Sequence, residues 1–415
     1  MGRDRLRIAY LCDMSPLDRN LYSGGNARIF EALQKHAGDV TILPSDWGTA
    51  EPLRRLILST PERVNLRVRW RAHLALRRII GRRVTRTLRR GQYDVVFGAY
   101  SLHSMCGLRV PDGMLSAFTS DATQTVYRCS EVGKAHDRHF PFGHLLDGWV
   151  ESCEARALRN VDLLLWPSNW LQEAVADRYG IRGQLVSWGA NIDTPPEGLS
   201  RQLTGRLELL LIGRDWFAKG GPVAFETMQR LRDAGVDAHL TVIGCTPPDC
   251  HRNGHVTVHP QLDKGKSAEL AIFDAALARA HFLVQPSYES YGFAFCEASA
   301  YGLPALCLNV GGVPVWNGVN GEALPVGSGA DAFAAVIQSY LDAPARYAVL
   351  SRSARETFET RLNWDAWGKS VAELLNEAVT EKRQTTLACN HSSAGKALNH
   401  AQTNRFNPKK QAFDR

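Results

Sequence analysis

The sequence has no run of apolar residues approaching the roughly 20 that a membrane-spanning helix needs. Its first residues, MGRDRLRIAYLCD, pass almost at once into a strand, without the long apolar core and small-residue cleavage site of a secretory signal. A disulfide framework is also missing. The nine cysteines (12, 106, 129, 153, 245, 250, 296, 307 and 389) are scattered, mostly inside apolar runs, as reduced thiols are. Together these absences lead us to expect a cytoplasmic protein that does not cross a bilayer. What is present is 415 residues, 44% of them hydrophobic, with glycine and proline spread along the chain. That is enough for about two or three cores, so disorder is not the default.

Short apolar strands alternate with helical patterns twice over. RLRIAYLCD is followed by a Gly-Gly loop and the helical NARIFEALQKH, then by VTILP, YDVVFGAY, LSAFTS and VDLLLWPS. The series restarts with LELLLIG at 207–213 and runs through HLTVIG, HVTVHP, HFLVQP and PALCLNV. Such alternation predicts two doubly wound α/β domains. Periodicity breaks in NIDTPPEGLSRQLTG, which puts one domain at 1–192 and the second at 193–362. The helical DAWGKSVAELLNEAVTEKR is expected at 363–383, packing back toward the first domain, and 384–415 reads as a disordered basic tail.

Two stretches carry chemistry. In PSYESYGFAFCEASAYGLP (286–304), Glu289 and Glu297 frame a strand-to-helix turn around Gly292 and Phe293. Such turns lie at the carboxyl end of a parallel sheet, where α/β folds bind ligands. In LLLIGRDWFAKGG, a strand ends at Gly213, and Arg214 and Lys219 follow it into a Gly-Gly helix start. Two cations beside a helix N-terminus suit a diphosphate, although loop cations are more often merely solvated.

Read in order, Arg214 to Lys219, the glutamate pair, and then NVGGVP and NGVNGEALP resemble the nucleotide-sugar half of glycosyltransferase family 4 (group 1). YSGGNARIFEAL, PSNW and WGANID extend the resemblance, less tightly, over about residues 6–380. The resemblance implies the GT-B architecture, two Rossmann-like doubly wound domains facing a cleft. It also implies a retaining transfer of a sugar from a nucleoside-diphosphate sugar to an acceptor hydroxyl, as in cell-surface glycan or lipopolysaccharide synthesis. On that likeness Arg214, Lys219 and Glu289 are catalytic, while Gly213, Glu297, Gly292, Phe293, Gly24 and Gly25 bind the donor. Glu297 would hold the ribose diol and Glu289 the transferred sugar, since a carboxylate accepts two hydrogen bonds side by side. Many enzymes of diphosphate sugars hold a divalent metal with an Asp-x-Asp triplet; none occurs here, so no metal and no other cofactor is expected. The family's usual first-domain histidine is absent from AFTSDATQ, where Asp121 stands as its candidate replacement, and Val315 replaces the glutamate that often follows the Gly-Gly-x-Pro loop.

Other features compete. Two carboxylates also serve glycosidases, GSGADA (327–332) mimics a dinucleotide fingerprint, and an NAD-type Rossmann enzyme is the alternative enzyme reading. Cys245, Cys250, His251, His255 and His259 are zinc-ligand types at no standard spacing. His103, His136 and His139 are candidates for the acceptor side. Residues 54–90 hold thirteen arginines against one carboxylate, Glu62, with Leu66, Trp70, Leu74, Ile80, Val84 and Leu88 at near-helical spacing. A basic amphipathic helix with an interfacial tryptophan suits an anionic membrane surface or a lipid-linked acceptor; the plain alternative is a helix packed on the first domain with a solvated basic face. A basic module for nucleic acid or phosphate is a further alternative, but with so few aromatics interleaved no nucleic-acid partner is expected.

Overall fold

The computed structural model describes residues 5–60, 62–136, 143–198 and 201–403; the side chains at 62–67, 136, 143–144 and 387–403 lie outside the description. The apolar runs of the first half form β1 (Leu6–Leu11), β2 (Gly38–Ile42), β3 (Val95–Ala99), β4 (Leu115–Thr119), β5 (Leu163–Trp166) and β6 (Gln184–Leu185). All pair in parallel, in the order β2-β1-β3-β4-β5-β6. The second half gives β7 (Leu207–Ile212), β8 (Ala238–Ile243), β9 (Val256–His259), β10 (Phe282–Gln285), β11 (Ala305–Leu308) and β12 (Gly321–Leu324), parallel in the order β12-β11-β10-β7-β8-β9. Central strands such as VVFGA and FLVQ are buried throughout because helices cover both sheet faces, so they carry no polar alternation.

Both orders reverse direction once, and that reversal positions the site. In the first sheet the chain leaves β1 for β2 on one side and enters β3 on the other. In the second it leaves β7 toward β8 and later enters β10 on the other side. Connections diverge at such a point and leave a crevice outside the carboxyl ends of the two strands. The loops after β7 and β10 are those that carry Arg214, Lys219 and Glu289.

The two domains share one hydrophobic cluster that joins Tyr10, Ile29 and Leu33 of the first to Tyr291, Phe295 and Cys296 of the second through Trp188, Leu362 and Trp367. Tyr291 Oη donates to the Trp188 carbonyl at 2.7 Å, and Ala190 N–H donates to Leu362 O at 2.9 Å. The chain then returns as a helix from Trp364 to Thr403. Its start is fixed to the first domain by Lys35 Nζ and His36 Nε2, both on Asp365 Oδ1 (2.7 and 2.8 Å). Arg383 pairs with Asp94 further along (2.7 Å). Helix therefore occupies 384–403, the first part of the expected tail, and 404–415 lie outside the described residues.

The arginine-rich segment forms helices at Glu51–Leu58 and Glu62–Arg90. Its apolar stripe is covered: Leu74 and Leu88 are each 1% exposed, and Ile80 and Val84 are buried. Leu74, Val84 and Leu88 join the core of the first domain, with Ala9 and Leu11 of β1 and Val96 of β3. This corrects the expectation of an apolar face free for a bilayer. Among the described residues no helix is long and apolar enough to cross a membrane.

Candidate active site

A cleft of about 1810 Å³ opens between the domains, over the carboxyl ends of both sheets. On the second-domain side, the loop after β7 closes onto the loop after β10. Gly220, the N-cap of the helix Gly221–Asp233, has φ +73°, and a Cβ there would lie 2.3 Å from the Pro286 carbonyl oxygen. The Lys219 side chain folds back over Gly213, where a Cβ would come within 2.2 Å of Lys219 Cγ. Its ammonium thereby reaches the Glu289 carboxylate. Ser287 Oγ donates to the same oxygen of Glu289 at 2.8 Å. Behind it Gln285 is buried, and its amide oxygen has no partner among the described residues. Arg214 stands exposed on the cleft wall, with no ion pair among the described residues.

Glu297 lies in the helix Phe293–Ala300, which starts from Gly292 at φ +92°. It is only 5% exposed, and a buried carboxylate is costly unless compensated. Lys264 compensates it, with Nζ 2.8 Å from Glu297 Oε1 and 3.9 Å from the centre of the Phe273 ring. Sequence reading missed Lys264, because the pair forms only once the 260–266 loop folds over the helix. Each of the two glutamates therefore faces a lysine.

Asp121, on the loop after β4, accepts a hydrogen bond from Ser290 Oγ across the cleft. Burial raises the pKa of its carboxyl and the charge of Glu289 adds to the shift, while the Ser290 bond opposes them. Asp121, Ser290 and Glu289 are thus brought together at the domain junction. The Gly-Gly loop lies behind them: a Cβ on Gly311 would strike the Glu289 carbonyl oxygen, and one on Gly312 would come within 2.3 Å of Ser168 Oγ of the first domain. Val315 is buried.

The first-domain wall is built around Asp13, at the end of β1. Its carboxylate accepts from Ser101 Oγ at 2.6 Å, Tyr22 Oη at 2.7 Å and Arg69 Nη2 at 3.1 Å, with His103 Nε2 at 3.6 Å. Burial alone would raise its pKa, but the bond and charge of His103, together with Arg69 and Ser101, hold it well below the usual carboxylate range. His103 is 4% exposed and lies beneath the wall against Trp70 and His73, so it does not face the cleft as an acceptor group. Burial, then the neighbouring His103, pushes the His73 pKa down. His136 and His139 lie outside the described residues. Nothing in the sequence flagged Asp13, since one aspartate at a strand end has no spacing to recognise it by.

Gly24 (φ +85°) is the N-cap of the helix Gly25–His36. A Cβ on Gly25 would sit 2.2 Å from Tyr100 Oη and 2.5 Å from Phe293 Cζ, so only glycine lets the domains meet there. The Phe293 ring stacks on Trp188 (5.8 Å, 5°), which commits the side chain to the junction and leaves its backbone for a ligand. Tyr22, Ser23 and Tyr100 have φ of 52°, 53° and 58°. Such backbone costs about 1–3 kcal/mol per residue and concentrates at functional sites. The zinc-type residues do not gather: His251 packs on Trp216 and Phe225, Cys250 is exposed, and no metal-holding group of three or more His, Cys, Asp or Glu occurs among the described residues.

Residues 206–343 match the family described as "Glycosyl transferases group 1". Glycogen synthase of Mycobacterium tuberculosis is 28% identical over 245 residues, 57% of this chain and 59% of that protein. The chain therefore spans about three fifths of the length of that relative. D-inositol 3-phosphate glycosyltransferase of Streptomyces avermitilis is 36% identical over 108 residues, 25% of this chain and 23% of that one. The solved structure of sucrose-phosphate synthase from Thermosynechococcus elongatus superposes with a TM-score of 0.62 at 20% identity, covering 91% of this chain and 100% of that one. At that identity the likeness is one of fold, and the fold is GT-B.

Proposed function

From a chain whose second domain belongs to the glycosyl transferases of group 1 and whose fold is GT-B, we infer a retaining glycosyltransferase that moves the sugar of a nucleoside-diphosphate sugar onto an acceptor hydroxyl. One observation carries the reading: Arg214, Lys219, Glu289 and Glu297 share a single cleft, and Lys219 stands directly before Gly220, the N-cap of the helix Gly221–Asp233. Two cations and a helix start match a diphosphate, and two carboxylates match diols.

On this reading the diphosphate draws the Lys219 ammonium away from Glu289 and meets Arg214 beside it. Glu289 is then free to accept hydrogen bonds from the transferred sugar, with Asp121 and Ser290 on its far side. Glu297 takes the ribose hydroxyls, exchanging or sharing its contact with Lys264. As the bond from the anomeric carbon to the phosphate oxygen breaks, negative charge grows on the diphosphate where the two cations are already placed. The acceptor oxygen bonds to the anomeric carbon, and its proton passes to the departing phosphate. No metal is assigned, because Arg214 and Lys219 supply the positive charge. The acceptor class we favour is a cell-surface or lipid-linked glycan. Exposed Arg78, Arg82 and Arg86 support it as a face that holds to anionic lipid by charge alone. Neutralising these three should lower retention on anionic vesicles without changing nucleotide affinity, and unchanged retention removes that placement.

A panel of nucleoside diphosphates and their sugars, assayed by thermal shift in excess EDTA, tests the reading. A ligand at a hundred times its Kd stabilises by about 2.7 kcal/mol. A shift with one base and its sugar is expected, and indifference to the whole panel counts against donor binding.

A further inference from the structure

We propose that the first-domain wall of the cleft is a subsite for an uncharged, polyhydroxylated acceptor, a sugar or cyclitol, whose C–H face lies on Trp70 and Tyr22. The proposal rests on the glycosyltransferase reading and adds the chemical class of the second substrate.

The first observation is where Trp70 sits. The sequence pattern makes it an interfacial anchor, yet it is a half-buried residue of the cleft wall, its ring 5.3 Å from that of His103. Tyr22 and Tyr100 line the same wall, their rings parallel within 16° at 4.3 Å. Tyr22 follows β1 and Tyr100 follows β3, the neighbouring strands whose connections diverge to leave the crevice of the first sheet, and Trp70 lines the same cleft. Both tyrosines are held there in left-handed backbone that tyrosine seldom adopts. Tyr22 is fixed through its hydroxyl to Asp13, and the Tyr100 hydroxyl is buried without a partner among the described residues. Rigid aromatic faces with a few fixed polar groups are the lining of a small-molecule subsite.

Charge then decides the class. Arg28 meets Asp193 at 2.5 Å and Glu31 at 3.2 Å, and Arg19 meets Glu31 at 2.6 Å. Arg69 is committed to Asp13 beneath the wall. The other charged residues that line this side are acidic, Asp121 and Glu154. On this wall a phosphorylated acceptor would meet Asp121 and Glu154 and would have to break the carboxylate pairs of Arg19 and Arg28, whereas on the opposite wall Arg214 has no ion pair among the described residues. Hydroxyls instead find acceptors in Asp121, Thr123 and Gln124, while the aromatic faces take the C–H face.

The full-length protein is assayed with the nucleotide sugar that gives the largest thermal shift. Glucose, mannose, myo-inositol and maltose are offered against glucose 6-phosphate, mannose 6-phosphate and inositol 3-phosphate. Neutral acceptors should be used with the higher kcat/KM. Trp70→Ala should raise the KM for the neutral acceptor about tenfold or more, Trp70→Phe should recover most of it, and nucleoside diphosphate should bind all three proteins within about threefold. An unchanged acceptor KM in Trp70→Ala, or a phosphorylated acceptor used better than its neutral counterpart, overturns the subsite while leaving glycosyl transfer intact. Absence of both nucleotide binding and donor hydrolysis in the wild type overturns the transfer reading itself, and the subsite with it.

Discussion

Lys219, on the loop that leaves β7, reaches across the switch point of the second sheet to the carboxylate of Glu289, on the loop that leaves β10. The pair places a cation and an anion where a diphosphate and a sugar would separate them. On the proposed assignment, removing Lys219 takes a charge from the leaving group, and it leaves Glu289 without its counterion. Lys219→Ala should lower kcat about 10²- to 10³-fold, by analogy with the loss of one oxyanion donor. A variant that keeps kcat within a few fold of wild type would show that the ammonium does not meet the leaving phosphate.

Glu297 and Lys264 form the second such pair, and their effects should differ in kind. A hold on ribose is similar in the ground and transition states, so Glu297→Gln should raise the donor KM while leaving kcat nearly unchanged. On the proposed assignment Glu289 meets the ring that becomes electron-poor, so Glu289→Gln should reduce kcat more than donor affinity. Calorimetry with nucleoside diphosphate alone separates the two. If the Glu289 variant binds it worse and the Glu297 variant as tightly as wild type, the two roles are reversed.

Asp121 makes a pH prediction. Burial, reinforced by Glu289, raises its pKa in the folded protein above the unfolded value of about 3.9. A raised pKa stabilises the fold below the unfolded pKa, and that contribution is lost as pH rises through the folded pKa. At pH 7 the buried carboxyl group is therefore a net cost relative to acid pH, although Ser290 reduces it. Asp121→Asn should raise Tm at pH 7, and the gain should shrink toward pH 4. A gain that is constant with pH, or a loss at pH 7, contradicts the assigned cause.

The arginine-rich helices divide into a covered and an uncovered side, and stability can tell them apart. Leu88, 1% exposed in the first-domain core, should cost about 2–5 kcal/mol when changed to alanine. Leu56, 67% exposed, should cost less than about 0.5 kcal/mol. Urea denaturation of both variants checks the assignment, and equal losses would mean that the stripe is not in the core.

Much of the second domain could be read in advance, because LELLLIG and HFLVQP are short, mainly apolar runs without polar alternation, which a sheet covered on both faces buries. The loops after them carry their functional residues at fixed short spacing. β6 and β12 escaped notice: Gln184–Leu185 is an exposed two-residue edge, and GEAL has no β-branched residue to mark it. Trp70 was recognised as part of an amphipathic helix, but periodicity gives a stripe and does not say what covers it. Asp13 and Lys264 acquire their partners only through contacts between segments far apart in sequence, Asp13 with Arg69 and His103, Lys264 with Glu297. No local pattern records such pairs.

The most direct test is a proton NMR time course of the full-length protein with an α-linked nucleotide sugar and a neutral acceptor, in excess EDTA. Retaining transfer from a diphosphate donor predicts that nucleoside diphosphate appears in step with a single new glycoside whose anomeric proton shows the α configuration. A β-configured product, or nucleotide sugar that persists unchanged beside acceptor, would contradict it.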